Sequence, residues 1–482
     1  MTKALASLCC LALVAVLSGC GRTEPRLEAR WRSKGADGLR AQASAPLLRK
    51  VLSGPNADTL GARLSTNLAA VAAEWIAGGK AAPEAAGLAT PILGDLLAHE
   101  SAGEVWRHAD GSAEVVVAVR VTSERSVVWS ENFVKWAHQW HSGASGASIG
   151  AENGWLFAAS RADSERVAAF RKRVLEAKST PDRLLEFTLA VGTQPEIQAE
   201  AVATNGAVRW SGTLRVPGGA AVATPEWNHP THLIGDSVIA FTAVRGVTGP
   251  VLGRLGLLPF LDGQQMGQMF VWSQPETPFS TYAVAHFSQP HRFMDRVHEW
   301  IRPKFSTNGA AGTHQGLVMY DLERRILALS SAPLATPTLA GPTNGQPGFV
   351  GISLVGLRRS KNPLPPALLS EIAKPGLVFY DWEMTSENIP HWSAALQVGD
   401  ISSGLRPPPG EGPGRRWLEE VIPVLENSAT AVTQKEPGVF EFHRKSSVGA
   451  TAFELVLLTR WLDPPTPRPA RGPANRPAQP AR

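Results

Sequence analysis

The chain has 482 residues, 43% of them hydrophobic, with 47 Lys and Arg against 42 Asp and Glu and a formal charge of +5. So small a surplus over this length argues against a polyelectrolyte surface, and no nucleic-acid partner is expected. The three cysteines, Cys9, Cys10 and Cys20, all lie in the first twenty residues, so the rest of the chain has no disulfide, thiolate metal ligand or cysteine nucleophile.

The N-terminus sets one positive charge, Lys3, before an apolar run, Ala4–Val16, that closes on Leu17-Ser18-Gly19-Cys20. A membrane-spanning helix needs about 20 apolar residues. This run is shorter and ends in small residues, the layout of a secretory signal. Leu17–Cys20 resembles the lipobox of bacterial lipoproteins. The resemblance implies a signal peptide over 1–19, cleavage before Cys20 and acylation of Cys20. It therefore implies an exported body held to a membrane by lipid on its periplasmic or extracellular side. Gly21 and Arg22 lack the Asp that retains such proteins in the inner membrane, so the resemblance leans to the outer membrane.

Residues 20–45 read as the lipidated cysteine and a polar tether. A helix is expected next, with Leu60, Leu64, Leu68, Val71 and Trp75 on one face and Asn56 or Asp58 as its cap. Beyond it five sequence blocks recur in order. Glu104–Trp106 with Val115–Val121 matches Phe270–Trp272 with Thr281–Phe287. Phe133–Trp140 matches Phe293–Trp300 through a shared Phe-x4-His-x-Trp. Leu156–Ser160 matches Leu327–Ser331, Leu185–Leu189 matches Val350–Leu354, and Trp210–Val216 matches Trp392–Val398. The expected fold is α+β, two internally duplicated halves over 46–225 and 226–462, each a mostly antiparallel sheet with helices packed on one face. Gly316–Tyr320 reads as a strand inserted in the second half. The Pro- and Arg-rich residues 463–482 are expected to be disordered.

No segment carries a complete catalytic pattern. Gly146-Ala-Ser148-Ile-Gly150 fits G-x-S-x-G but lacks the strand before and helix after that a nucleophile elbow needs. His229 and His232 are the only candidate metal ligands, in the connection between the halves, and a site would need a third ligand from Glu226 or Asp236. His138 and His298 suit helix ends. The acidic pairs Glu186 with Glu200 and Asp381 with Glu383 lack a partner that would mark a general acid/base couple, and Asp381 and Glu383, sharing one strand face, read as a solvated edge. No cofactor is expected. The leading expectation is a lipid-anchored envelope protein that binds or scaffolds without catalysis, its partner an envelope protein or wall polymer. The alternatives are a hydrolase using the region of His229 and His232, and a carrier of apolar ligands in an aromatic groove.

Overall fold

A computed structural model describes residues 25–76, 83–139, 146–162, 165–178, 180–190, 196–217, 219, 226–230, 234, 237–246, 266–276, 280–301, 305–306, 314–315, 318–321, 326–329, 338–341, 348–353, 364–406 and 412–467. The elements begin with β1 (Arg26–Ser33), α1 (Gly35–Arg40), α2 (Pro46–Leu52), α3 (Ala57–Ile76) and α4 (Pro83–Ala98). Next come β2 (Ser101–Arg107), β3 (Ala113–Val119), α5 (Ser123–His138), β4 (Ser148–Glu152), β5 (Trp155–Ala159), α6 (Glu165–Glu176), β6 (Arg183–Leu189), β7 (Glu196–Thr204) and β8 (Ala207–Arg215). The chain continues through β9 (Ala240–Arg245), β10 (Met266–Ser273), β11 (Thr281–Phe287), α7 (Pro290–Ile301), β12 (Phe305–Ser306), β13 (His314–Gln315), β14 (Val318–Asp321), β15 (Ile326–Leu329), β16 (Thr338–Ala340) and β17 (Phe349–Ser353). It ends with α8 (Pro366–Ile372), β18 (Leu377–Met384), α9 (Thr385–Ser402), β19 (Leu405–Arg406), α10 (Pro413–Val421), β20 (Asn427–Glu436), β21 (Val439–Ser446), α11 (Ala452–Leu462) and β22 (Thr466–Pro467).

Eighteen strands join in one sheet. Across it the order is β4-β5-β3-β2-β1-β6-β7-β8-β21-β20-β18-β9-β10-β11-β17-β16-β15-β14, every neighbouring pair antiparallel. The central pair is β8 with β21. Outward on one side lie β7, β6, β1, β2, β3, β5 and β4; on the other lie β20, β18, β9, β10, β11, β17 and β16, with β15 and β14 beyond. The β7–β8 turn is two residues, Asn205 (φ 49°) and Gly206 (φ 79°), the left-handed pair that matches strand twist in a tight hairpin.

The class is α+β, as expected, but the helices cover both faces of the sheet. Ala29, Val105, Val115, Val117 and Leu156 face α3, α4 and α5 around Ile92, Trp129 and Phe133. Val116, Ala118, Trp155 and Phe157 face α6 through Val167, Phe170 and Val174. In the other arm α8 covers that second face, setting Leu368 and Ile372 against Phe241, Phe270 and Tyr380. The reason lies in β3, whose Val115–Val119 is apolar at every position and buried throughout, so both sides must leave water. The centre keeps a wet second face, where Gln198, Arg209, Arg215, His443 and Lys445 are exposed.

Further expectations need correction. The tether does not run to residue 45, because Arg26–Ser33 is β1, paired on both sides, with β2 and β6. Three of the five repeated blocks fall on elements at different places in the strand order. Leu156–Ser160 is β5 and its match is β15; Leu185–Leu189 is β6 and its match β17; Trp210 is on strand β8 and Trp392 on helix α9. The first two blocks lie on hairpins β2–β3 and β10–β11 and the helices that follow. Even there the turn of the second hairpin is two residues longer, since Trp106 faces Glu114 whereas Trp272 faces Tyr282. Trp300, expected in the core, is 47% exposed, and Trp140 lies outside the described residues. At the C-terminus Asp463 is buried and Thr466–Pro467 pairs with Leu405–Arg406, so order extends past the expected boundary; 468–482 lie outside the described residues.

Candidate functional site

The segment 226–230 is held beside β10 by Gln268, whose Oε1 accepts from Asn228 N at 2.9 Å and whose Nε2 donates to the Glu226 carbonyl at 2.6 Å. This sets the rings of Trp227 and His229 against Phe270, with centroids 5.6 and 6.1 Å apart, and Arg245 lies 4.9 Å over Trp227. Burial pushes the His229 imidazole below its ordinary pKa, and its buried Nδ1 has no hydrogen-bond partner among the described residues. A neutral ring packed on an aromatic is a wall of the core. No group of three His, Cys, Asp or Glu suited to a metal occurs among the described residues, and His232 lies outside them. Cys20 also lies outside them.

Other sequence candidates take structural places. Ser148 opens β4, which lies at one edge of the sheet and is followed by strand β5, so no nucleophile elbow forms. His138 is the last residue of α5 and is exposed, where a partial positive charge is favoured. Glu186 and Glu200 do meet, directly opposite on β6 and β7, and Arg183 reaches both at 2.9 and 3.5 Å.

Asp381 and Glu383 are not a solvated edge. They lie on β18, between β20 and β9. Glu383 is 3% exposed and accepts from Asn388 Nδ2 at 2.7 Å, Ser428 Oγ at 3.1 Å, Thr385 Oγ1 at 3.3 Å and the Ala452 amide at 2.5 Å. Ala452 is the first residue of α11, so the carboxylate also meets the positive end of that helix. It ties β18, α9, β20 and α11 together. Asp381 accepts one hydrogen bond, from Thr242 Oγ1 at 2.6 Å, and burial raises its pKa to about 6. Alternation along β18 signals only that both acids share a face; of the elements that meet that face, α9 follows directly, but β20 and α11 are remote in sequence.

A second polar layer lies under α6. Glu104, 1% exposed, accepts from Arg30 at 2.6 Å and Arg173 at 2.7 Å, while Glu114, fully buried, accepts from Arg166 at 2.6 Å and meets His108 at 3.1 Å. The hairpin in the same place in the other arm carries Phe270, Trp272 and Tyr282 instead, with Trp272 stacked on Tyr282 at 5.4 Å. One arm is closed by ion pairs and the other by aromatics.

The open polar feature is a recess at the Ser33 end of β1. A 730 Å³ cavity bounded by Lys34, Gln42, Asp182 and Arg120 adjoins one of 290 Å³ bounded by Arg32, Lys178 and Arg183, and the two share Lys34 and Glu100. Glu100 is clamped by Arg32 at 3.1 Å and Arg120 at 2.8 Å. The guanidinium groups that bound the recess are engaged by the chain's own carboxylates, Arg32 and Arg120 by Glu100 and Arg183 by Glu186 and Glu200. No family profile, curated protein sequence or solved structure matches the chain.

Proposed function

We propose that the chain is a lipid-anchored protein of the bacterial cell envelope, acylated on Cys20, that binds or scaffolds an envelope partner without catalysis. The observation that carries this reading is the run Lys3, Ala4–Val16 and Leu17-Ser18-Gly19-Cys20. No helix among the described residues is long and apolar enough to cross a membrane, so on this reading the lipid does the anchoring. β1 begins six residues after Cys20, and six extended residues reach about 20 Å. The body would then stand close against the bilayer at the Arg26 end, with the recess at the Ser33 end directed away. An outer-membrane location follows from Gly21 and Arg22 by the same resemblance.

The two arms are read as copies of one ancestral unit. In support, the chain order strand, strand, strand, helix, strand, strand, helix, strand, strand, strand runs through β1–β8 once α1–α4 between β1 and β2 are set aside, and again, with insertions, through β9–β21. The strand order outward from β8 and β21 is the same in both.

The test is Cys20→Ala in cells fed a radiolabelled or alkyne fatty acid. Loss of label with release of the protein from the membrane fraction is the expected result. Label retained by the variant would reject the anchor.

A further inference from the structure

On the second face of the sheet, register lines up side chains in rows across β6, β7, β8, β21 and β20. Nearest the Ser33 end of β1, the row reads Arg183, Val202, Arg209, Lys445, Ala429. The next row reads Glu186, Glu200, Ser211, His443, Ala431. Each row holds two like charges directly opposite one another on neighbouring strands, an arrangement that destabilises a ladder. The acid pair is compensated, since Arg183 bridges Glu186 and Glu200 and Ser211 Oγ donates to Glu200 at 3.4 Å.

The basic pair is not. The Arg209 and Lys445 side chains are both exposed, and neither makes a hydrogen bond or ion pair with any described residue. The nearest carboxylate by register is Glu200, already engaged. His443, in the adjoining row, has Nε2 3.5 Å from Glu441. The cations also continue outward: Arg183 forms the wall of the smaller cavity together with Arg32 and Lys178, and Lys178 likewise has no partner among the described residues. A row of cations across several strands suits a ligand with several anionic groups. The row has no aromatic side chain on which a base could stack, which disfavours single-stranded nucleic acid.

We propose that Arg209 and Lys445, continued by Lys178 beyond the Glu-paired Arg183, bind an acidic polysaccharide through its carboxylates. The anion site stands on the geometry; naming an envelope polymer as its source rests on the function proposed above. The guanidinium and ammonium groups donate charge-assisted hydrogen bonds, and binding relieves the repulsion between them. Cations left opposed without a counter-charge are a cost that the ligand repays.

The test uses the full chain in detergent with polygalacturonate as probe, neutral dextran and sheared DNA as comparisons, and calorimetric titration across a salt series. Polygalacturonate is expected to bind and to weaken with salt, while dextran does not bind. Arg209→Ser with Lys445→Ser should weaken binding about tenfold. Arg49→Ser with Lys50→Ser, an equal loss of charge on exposed positions of α2, should change it less than about twofold. Lys445→Thr alone, which keeps a strand-forming residue, should weaken binding while raising the thermal midpoint. Equal binding by the two double variants, tighter binding of DNA than of polygalacturonate, or a lowered midpoint in Lys445→Thr would overturn the proposal. Acyl labelling at Cys20 is untouched by any of these results, so the anchor and the ligand fail or stand separately.

Discussion

Asp381 and Glu383 occupy the same face of one strand two residues apart, yet their surroundings differ. Glu383 meets four donors; among the described residues Asp381 accepts a hydrogen bond from Thr242 alone, and burial raises its pKa to about 6. Well below pH 4 both the folded and unfolded chains hold the Asp381 proton, and the site costs nothing. As pH rises, the unfolded chain releases its proton first, so stability falls until the folded carboxyl has also ionised near 6. Two pKa units correspond to about 3 kcal/mol. Asp381→Asn should therefore gain on the natural chain by up to that amount between pH 4 and 7, read from urea unfolding at the two pH values. A constant difference would show that Asp381 ionises freely. Glu383→Leu should lose about 3–5 kcal/mol, because four donors are left buried without an acceptor. The sequence carries the pairing of these acids on one face, through the period of two. It does not carry the contrast, because Thr242, Ser428 and Ala452 come from elements far along the chain.

Elements were legible where one face alone is buried. α6 has Val167, Phe170 and Val174 buried at the spacing its sequence displays, and α3 begins at Ala57 as the period around Leu60 and Leu64 suggests. The proposed cap is different: the Asn56 side chain donates to Glu420 at 3.0 Å, fastening the start of α3 to α10. β1 was illegible because Arg30 and Arg32 on its second face pair with Glu104 and Glu100, so a buried strand looks like a charged tether. The short matches at Leu156, Leu185 and Trp210 failed because alternating apolar residues are common to any strand and also fit one side of a helix. α5 shows what holds an element that is not apolar overall. Trp129 is fully buried, stacks on Phe133 at 6.2 Å and donates to Asp95 at 2.8 Å, and Asp95 also takes both oxygens to Arg125. Trp129→Ala should cost about 3–5 kcal/mol. Trp300→Ala, at 47% exposure, should cost under about 1 kcal/mol, and chemical denaturation of the two variants checks the contrast.

At the scale of the whole molecule the sheet joins the arms through β8 and β21, with the N-terminal strand inside it and the charged recess and cation row at the far end of the strands. β1 spans eight residues, so the two ends of the sheet near it are separated by about 25 Å. An anchor at Cys20 followed so soon by a paired strand leaves little freedom of height or tilt. On the proposed reading the mature chain keeps only the acylated Cys20, so the most direct test puts one dye on an introduced cysteine and measures energy transfer to acceptor-labelled lipid headgroups in vesicles carrying the protein. One position is Ala109→Cys, exposed in the β2–β3 turn beside Arg26; the other is Ala43→Cys, exposed beside the β7–β8 turn, where Ser44 accepts from Gly206 N at 3.1 Å. Strong transfer from position 109 and weak transfer from position 43, a difference matching about 25 Å, is the predicted result. Equal transfer from both, or the reverse order, would contradict a body held against the membrane by its first strand.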